Sequence, residues 1–208
     1  MKAGTVEPFG SLRVAYDDRV LQPRAWTVAQ SLWAAELLKA APPGPLLELC
    51  AGAGQIGLLA IATEPRPLVA VDANPVACEY ARRNADSAGL GDLVEVRAGR
   101  IDEVLDPGES FALVIADPPW VRRSDIGRHP SDPRYAIDGG YDGLDVARSC
   151  VEAASVHLTP GGSTLLQLGT VEQAEIIRAE LALYGDLGFV EIRFFDGGVV
   201  VRLDRQVR

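Results

Sequence analysis

The 208-residue sequence has few basic residues, few cysteines and no long apolar run. Its 20 Lys and Arg are outnumbered by 29 Asp and Glu, which gives a formal net charge of −9 and a pI near 4.7. Proteins that hold long nucleic acids usually present a basic face to the phosphates, so this balance disfavours a nucleic-acid partner without forbidding a local basic patch. The apolar runs stay below the roughly 18 residues that a membrane span requires.

Metal-binding residues and targeting signals are also scarce. Residues 1–10 lack the charged-then-apolar pattern of a secretory signal, so we expect a cytoplasmic protein that does not contact membranes. The two histidines and three cysteines match no metal-ligand spacing. We therefore expect no metal site, and we expect free thiols at Cys50, Cys78 and Cys150.

The remaining composition, 48% hydrophobic and 24% charged, is that of one globular domain. Short β-rich runs alternate with helical patterns after residue 41, which predicts an α/β domain over 42–208 with a mostly parallel sheet. Residues 1–41 are expected to form a β/helix extension packing on this core. The predicted strands are 46–50, 68–71, 93–97, 111–116 and 163–168, followed by 189–195 and 199–203, which the Asp-Gly-Gly turn at 196–198 joins as a hairpin.

Several helices carry capping signals at their first residues. Thr27 with Gln30 is expected to cap a helix over 28–40, and Asp142 with Asp145 to cap one over 143–158. Thr170 with Gln173 predicts a further cap, before the final hairpin. Between two of these helices, residues 120–141 show no periodicity, and a loop of that length usually has a function or is disordered.

A glycine-rich loop follows the first strand of the α/β domain. Gly52, Gly54 and Gly57 form a GxGxxG pattern, and Asp72 lies eighteen residues after Gly54 at the end of the next strand. Glycines let a ligand approach the backbone, the helix start offers free N–H groups, and an acid at this place can bind ribose hydroxyls. The pattern indicates an adenosine-containing ligand and fits both NAD and S-adenosylmethionine. A glycine-rich turn with no ligand is the alternative.

Three features favour S-adenosylmethionine over a dinucleotide. Glu48 lies inside an apolar strand, where its carboxylate would repel a pyrophosphate but attract the cationic methionine part of S-adenosylmethionine. The terminal hairpin adds an antiparallel strand, whereas a basic dinucleotide fold is parallel. The fourth strand ends in Asp-Pro-Pro-Trp at 117–120, beside the point where ligands of such sheets meet their chemistry.

The sequence at 117–120 resembles the Asn-Pro-Pro-Tyr pattern of HemK/PrmC-like class I methyltransferases. Residues 138–145 (DGGYDGLD) and 158–162 (LTPGG) are also similar to that family, as are Phe9-Gly10 and residues 20–24 ahead of the domain. The resemblance covers nearly the whole chain. It implies a Rossmann-like sheet, mostly parallel with an antiparallel C-terminal hairpin strand, S-adenosylmethionine as cofactor, and methylation of an amino or amide nitrogen on a planar group.

The resemblance also implies the residues of the site. The implied catalytic residues are Asp117, Pro118, Pro119 and Trp120. The implied cofactor-binding residues are Thr27, Glu48, Ala51, Gly52, Gly54, Asp72, Ala73, Arg100, Ile101 and Asp117.

The chemistry of a planar nitrogen suits the 117–120 motif. Its lone pair is delocalised, so it is a poor nucleophile. The Asp117 carboxylate and the Pro118 carbonyl can accept its two N–H groups and aim the lone pair at the methyl group. The prolines fix the backbone, and Trp120 can stack on the flat target. Positioning and electrostatics are then sufficient, without a covalent intermediate.

The chain departs from the family pattern at several places. Asp117 replaces Asn, as in adenine-amino methyltransferases, and Cys50 replaces the first glycine of the cofactor loop. Val28 stands where the family has a Glu. In the segment near the adenine, either Asp102 or backbone groups take the role of the family's acid. The residues before Pro42 are too few for the family's N-terminal helical domain.

The methyl acceptor stays open. We expect a glutamine-like amide of a protein, with a nucleobase amino group of RNA or DNA, or a small metabolite, as alternatives. A non-catalytic cofactor-binding module is the alternative of another class. Within the loop at 120–141, residues 122–134 have a local charge of +2, which makes this part either a lid for an acidic partner or a solvated surface loop. Its charged residues are Arg122, Arg123, Arg128 and Arg134 against Asp125 and Asp132.

Overall fold

The computed structural model describes residues 4–207. The helices are α1 Val28–Leu38, α2 Gln55–Thr63, α3 Pro75–Ser87, α4 Ile101–Val104, α5 Arg134–Ile137, α6 Asp145–His157 and α7 Val171–Glu180. The strands are β1 Thr5–Phe9, β2 Leu12–Tyr16, β3 Leu46–Leu49, β4 Leu68–Asp72, β5 Val94–Ala98, β6 Phe111–Ala116, β7 Leu158–Leu168, β8 Leu187–Phe195 and β9 Gly198–Arg205. Short 3₁₀ helices lie at Ala25–Thr27, Gly91–Leu93, Arg123–Arg128 and Leu181–Leu183.

The central sheet has the order β5-β4-β3-β6-β7-β9-β8. Strands β3 to β7 pair in parallel, while β9 is antiparallel to both β7 and β8. The predicted α/β fold, with a mostly parallel sheet and an antiparallel C-terminal hairpin strand, is confirmed. The strand order reverses between β3 and β6, so ligands are expected at the carboxyl ends of these two strands.

The central strands are buried on both faces because helices cover the sheet on each side. All six residues of β6 and all four of β3 are buried, as is typical of parallel strands. One apolar cluster joins the sheet to β2, α1 and α2, and a second joins it to α6 and α7. Strand β7 begins at Leu158, five residues before the predicted start at 163, because Leu158 already pairs with Phe111 across an irregular register.

The N-terminal hairpin of β1 and β2 is anchored to α3. The buried Asn84 side chain accepts from Ala15 N at 2.8 Å and donates to Ala15 O at 3.0 Å and to Ala53 O at 2.9 Å. Phe9 from this hairpin and Trp33 from α1 belong to the same apolar cluster as α2. This hairpin and α1 therefore pack on the core, while the division of the chain at residue 41 stays a prediction.

Two of the predicted helix caps are wrong. The Thr27 hydroxyl donates to Arg24 O at 2.8 Å, and the Gln30 amide turns into the core, so neither side chain caps α1. The Asp142 carboxylate accepts from Leu144 N at 3.0 Å and does not cap α6, which begins at Asp145. The Gln30 side chain instead hydrogen-bonds in the core, and the Asp142 carboxylate takes part in an ion pair. The cap of α7 is confirmed, since the Thr170 hydroxyl accepts from the N–H of Gln173 at 3.2 Å.

The irregular segment 120–141 is ordered. It contains the 3₁₀ helix Arg123–Arg128 and helix α5, and Val121 bridges to Asp138 so that its two ends meet. Across residues 4–207, no helix combines the length and apolar character that crossing a membrane requires.

Candidate active site

A cavity of about 570 Å³ opens at the carboxyl ends of β3, β4, β5 and β6. The glycine-rich loop, the ends of β4 and β6 and the segment 120–141 all reach it. The predicted site residues that line it are Gly52, Asp72, Ala73, Arg100, Ile101, Asp117 and Pro119. The strand-end geometry thus brings together seven of the residues that the sequence singled out.

Asp72 is fixed by backbone groups at the end of β4. One carboxylate oxygen accepts from Gly52 N at 2.7 Å and the other accepts from Asn74 N at 2.8 Å. Burial raises the pKa of this carboxyl, while the two N–H groups oppose that rise. Because each carboxylate oxygen can accept more than one hydrogen bond, Asp72 can still receive a pair of hydroxyl groups from a ligand.

The glycine-rich loop leaves open space in front of its backbone. Gly52 has φ +56°, and a Cβ atom there would meet nothing nearer than Gln55 Oε1 at 3.9 Å. Within residues 4–207 this buried Gln55 oxygen has no hydrogen-bond partner, so the cavity holds an acceptor that a ligand donor can satisfy. Cys50 adopts φ +58°, a left-handed conformation that few side chains favour. It therefore keeps the backbone shape that glycine provides in the family.

Asp117 follows β6 and faces the cavity. Burial raises the pKa of its carboxyl to about 7, and the positive charge of Arg24 opposes the rise. The preceding carbonyl, that of Ala116, accepts from the Gln30 side chain at 3.3 Å. Because Gln30 is buried in α1, the residue before Asp117 is tied to the packed core.

Glu48 lies outside the cavity lining, between β3 and α2. The side chain is 2% exposed, and one oxygen accepts from Gly57 N at 2.9 Å. Its second oxygen has no partner among the described residues. Burial raises the pKa of Glu48 to about 8, with Asp117 and Asp72 adding smaller contributions. The structure therefore places this carboxyl beneath the glycine-rich loop and not against the ligand space.

Other predicted site residues lie outside the cavity lining. Thr27, Ala51, Gly54 and Pro118 are buried and do not line the cavity. The Trp120 ring packs on Gly169, where a Cβ atom would come within 2.2 Å of it. The Trp120 carbonyl accepts from the Gln173 side chain at 2.9 Å. Trp120 thus lies against the end of β7 and holds the turn that carries Asp117.

The segment 120–141 and the N-terminal region form a roof over the cavity. The Tyr135 hydroxyl donates to the carbonyl of Arg19 and accepts from the Asn74 side chain. Arg24 forms an ion pair with Asp132, in which one guanidinium nitrogen lies 2.8 Å from each carboxylate oxygen. Two segments that are far apart in sequence are therefore joined above Asp72 and Asp117.

The charge of the predicted basic loop is largely offset by neighbouring acids. Arg122 pairs with Glu172, Arg123 with Asp138, and Arg128 with Asp125, all between 3.2 and 3.3 Å. On the opposite side of the cavity Arg100 pairs with Asp102 at 3.1 Å, and both side chains are 69% exposed. The structure leaves both Arg100 and Asp102 in the lining.

Sequence reasoning missed several lining residues. The unpredicted ones include Val20, Leu21, Gln55, Asn74, Tyr135, Ala136, Val146 and Ser149. The family resemblance at 20–24 and the irregular loop at 120–141 gave signals for part of this set. No group of three or more His, Cys, Asp or Glu residues placed to hold a metal occurs in the region from Gly4 to Val207.

Comparison with solved structures defines the class. The structure matches the catalytic domain of hMettl16, solved in complex with an RNA hairpin, with a TM-score of 0.70 at 14% identity, over 91% of this chain and 73% of that one. At that identity the likeness establishes the fold alone. The chain has the class I methyltransferase fold.

The curated sequence relatives of the chain include glutamine methyltransferases. The ribosomal protein uL3 glutamine methyltransferase of Bordetella pertussis is 34% identical, over 59% of this chain and 43% of its own length. The release factor glutamine methyltransferase of Deinococcus radiodurans is 34% identical over 189 residues, which are 88% of this chain and 65% of its own length. A family model described as "Conserved hypothetical protein 95" matches residues 27–128. The predicted resemblance to the HemK/PrmC-like group is confirmed.

The matched region is shorter than these relatives. The chain spans 43% and 40% of the lengths of two uL3 glutamine methyltransferases.

Proposed function

We propose that the protein is an S-adenosylmethionine-dependent N-methyltransferase that acts on a glutamine-like amide of a protein. The observation that carries this proposal is the Asp117 carboxyl at the end of β6, which faces the same cavity as Asp72 and Gly52. The names of the sequence relatives support the amide as target. We also propose a cytoplasmic location, because those relatives are named for a ribosomal protein and a release factor.

The residues of the cavity fit the proposed cofactor. Asp72 would accept the two ribose hydroxyls, and Gly52 would leave its backbone open to the methionine part. Ala73 and Ile101 give apolar surface for the adenine, and the unpartnered Gln55 oxygen can accept a hydrogen bond from the ligand. When bound, S-adenosylmethionine supplies an electrophilic methyl group on a sulfonium.

The chain's own contribution is to orient the nitrogen. The ionised Asp117 carboxylate accepts an N–H group of the amide, so its lone pair can point toward the methyl donor. The Pro118 carbonyl, predicted to accept the second N–H group, belongs to a buried residue outside the cavity lining. Trp120, packed on Gly169, keeps this turn rigid. The roof of Tyr135 and the Arg24–Asp132 pair limits the entry of water.

Two binding measurements and one variant test the proposal. Calorimetry is expected to show binding of S-adenosylhomocysteine and none of NAD. Asp117→Ala is expected to keep that affinity within a few fold while turnover falls at least ~100-fold, the scale of a lost positioning group. The matched control is Asp92→Ala, which removes an exposed carboxylate outside the cavity. Binding of NAD alone, or unchanged turnover of Asp117→Ala, would contradict the proposal.

A nucleobase amino group is the second candidate acceptor, because Asp117 takes the place of the family's Asn. Tritium transfer from labelled S-adenosylmethionine into a cell lysate separates the two. Label that protease removes supports the amide, and label that nuclease removes supports the nucleobase. Cofactor binding without any transfer would favour a non-catalytic module.

A further inference from the structure

A second depression lies beside the candidate active site, between the start of α1 and the β8–β9 turn. This groove, of about 440 Å³, is lined by Trp26, Leu32, Phe194, Phe195, Asp196 and three further residues between positions 25 and 29. Phe194 is 65% exposed and Leu32 is 50% exposed. Large apolar side chains from two elements therefore meet at an open surface, which is typical of an interaction site.

The groove is continuous with the end of the sheet that carries Asp117. The Trp26 ring lies directly on Gly197, where a Cβ atom would come within 2.2 Å of it. At the neighbouring Gly198, a Cβ atom would come within 2.3 Å of the carbonyl oxygen of Leu168, at the end of β7. The Trp120 ring packs on the next residue, Gly169. The groove thus adjoins the turn that presents the target nitrogen.

The distance from the groove to Asp117 is short enough for one extended segment. In the sheet order, β7 and β9 lie between β6, which ends beside Asp117, and β8, which carries Phe194. Three strand spacings of ~4.8 Å each make this separation ~14 Å. Since an extended chain advances ~3.3 Å per residue, roughly three to five residues would separate a side chain in the groove from one at Asp117.

Strand β8 offers backbone groups for such a segment. It pairs only with β9 and forms an outer edge of the sheet within the described part of the chain. It is nine residues long, contains no Pro, and exposes Val190 and Phe194. Its two charged residues, Glu191 and Arg193, pair with each other. Short length and proline, two usual protections of a sheet edge, are therefore missing here. An extended polypeptide can add to such an edge and place alternate side chains in neighbouring pockets.

The charges near the groove favour a basic partner. Asp196 is the one charged residue in the lining. Nearby, Arg193 is shared by two carboxylates, Glu191 at 2.7 Å and Glu36 at 3.9 Å, and stacks on Trp33. With the chain's net charge of −9, this surface is complementary to a segment rich in Lys or Arg.

We propose that this groove and the free edge of β8 dock an extended, basic polypeptide segment of the protein substrate, with a large apolar side chain seated between Leu32 and Phe194. The segment flanks the residue that is methylated, about four positions away. The inference rests on the proposed function for the identity of the partner, but the docking itself can be measured without methyl transfer.

Synthetic peptides provide the probes. The first contains one glutamine, a leucine about four residues from it, and flanking lysines. The second replaces the leucine with serine, and the third replaces the lysines with glutamates. Fluorescence anisotropy of labelled peptides is expected to show at least ten-fold tighter binding of the first peptide than of the other two.

Variants on both walls of the groove test its role. Leu32→Ser and Phe194→Ser are expected to remove the preference for leucine and to raise KM for the first peptide at least ten-fold, with kcat unchanged. Leu183→Ser, which changes a residue that is 79% exposed and outside the groove, is the matched control and is expected to alter neither. Equal binding of the leucine and serine peptides, or an equal loss in Leu183→Ser, would overturn the proposal.

The outcomes separate this inference from the proposed function. Binding that depends on leucine and on the groove, without any methyl transfer, supports the docking surface and removes the proposed function. Methyl transfer that is unchanged both by the leucine-to-serine replacement and by the groove variants supports the proposed function and removes the docking surface. Loss of a dimer in the groove variants, measured by sedimentation, would assign the surface to a second copy of this chain and so overturn the proposal.

Discussion

The carboxyl of Asp117 makes the folded protein sensitive to pH in a direction that can be calculated. Its pKa is raised from 3.8 to about 7 by burial. Between these two values the unfolded chain has already lost the proton while the folded chain retains it. The free energy of unfolding therefore falls as pH rises through this window, by about 1.4 kcal/mol per pH unit.

The substitution Asp117→Asn removes this dependence, because the amide does not titrate. From pH 5 to about pH 7, the free energy of unfolding of the wild type should fall over two pH units. Relative to Asp117→Asn, the loss between pH 5 and pH 8 should therefore be about 2 to 3 kcal/mol. Urea denaturation followed by tryptophan fluorescence at the two pH values measures the difference. Glu48 also titrates in this range, but it is present in both proteins and largely cancels in the comparison.

Asp92→Asn, at an exposed position, is the control and should show no such divergence. A stability difference between wild type and Asp117→Asn that stays constant from pH 5 to pH 8 would refute the assigned burial of this carboxyl. Methyl transfer provides an independent test, because the ionised carboxylate accepts the N–H group of the amide more strongly than the protonated acid does. Wild-type turnover should rise with pH through about 7, whereas the turnover of Asp117→Asn should remain flat.

Two further predictions concern the surroundings of the cavity. Gly57→Ala places a Cβ atom 2.4 Å from the buried Glu48 carboxylate, so we expect a loss of about 1 to 3 kcal/mol, seen as a Tm lower by several degrees. Gly108→Ala, where no atom lies within 4 Å, should change Tm little, and an equal loss in both variants would contradict the packing argument. Tyr135→Phe removes the hydroxyl that joins the roof to its neighbours, so limited proteolysis within 120–141 should become faster and the affinity for S-adenosylhomocysteine several-fold weaker. Tyr141→Phe, which changes a side chain that is 91% exposed, is the control and should match the wild type. If Tyr135→Phe is cleaved no faster than the wild type, the Tyr135 hydroxyl does not stabilise the roof.

The sequence predicted the parts of the fold that depend on local patterns. A glycine or proline follows the buried runs of β3, β4 and β6 within three residues, so both the strands and the loops after them could be located. Because parallel strands bring their carboxyl ends to one edge, the same reasoning placed Gly52, Asp72 and Asp117 around one cavity.

Contacts between distant segments could not be predicted in this way. The pairing of Arg24 with Asp132 spans 108 residues, and no local pattern marks either residue as part of a roof. The predicted cap of Thr27 with Gln30 is wrong because the Gln30 amide donates to buried carbonyls on β6 and β7, and these long-range contacts override the local capping pattern. Trp120 was expected to be available for stacking on the target, yet its ring also matches the space above Gly169, a fit that only the folded sheet defines.

The position of β9 has a consequence for how the chain reaches its folded state. This strand, Gly198–Arg205, lies between β7 and β8 and supplies the only partner of β8 in the sheet of the described residues. Until it is synthesised, β7 has one unpaired edge and β8 has none of its hydrogen bonds to the sheet. A chain stopped at residue 197 would expose both, along with the apolar residues that β9 buries. Completion of the sheet is therefore a late event, so nascent chains that stall before β9 should aggregate more readily than those that stall after it.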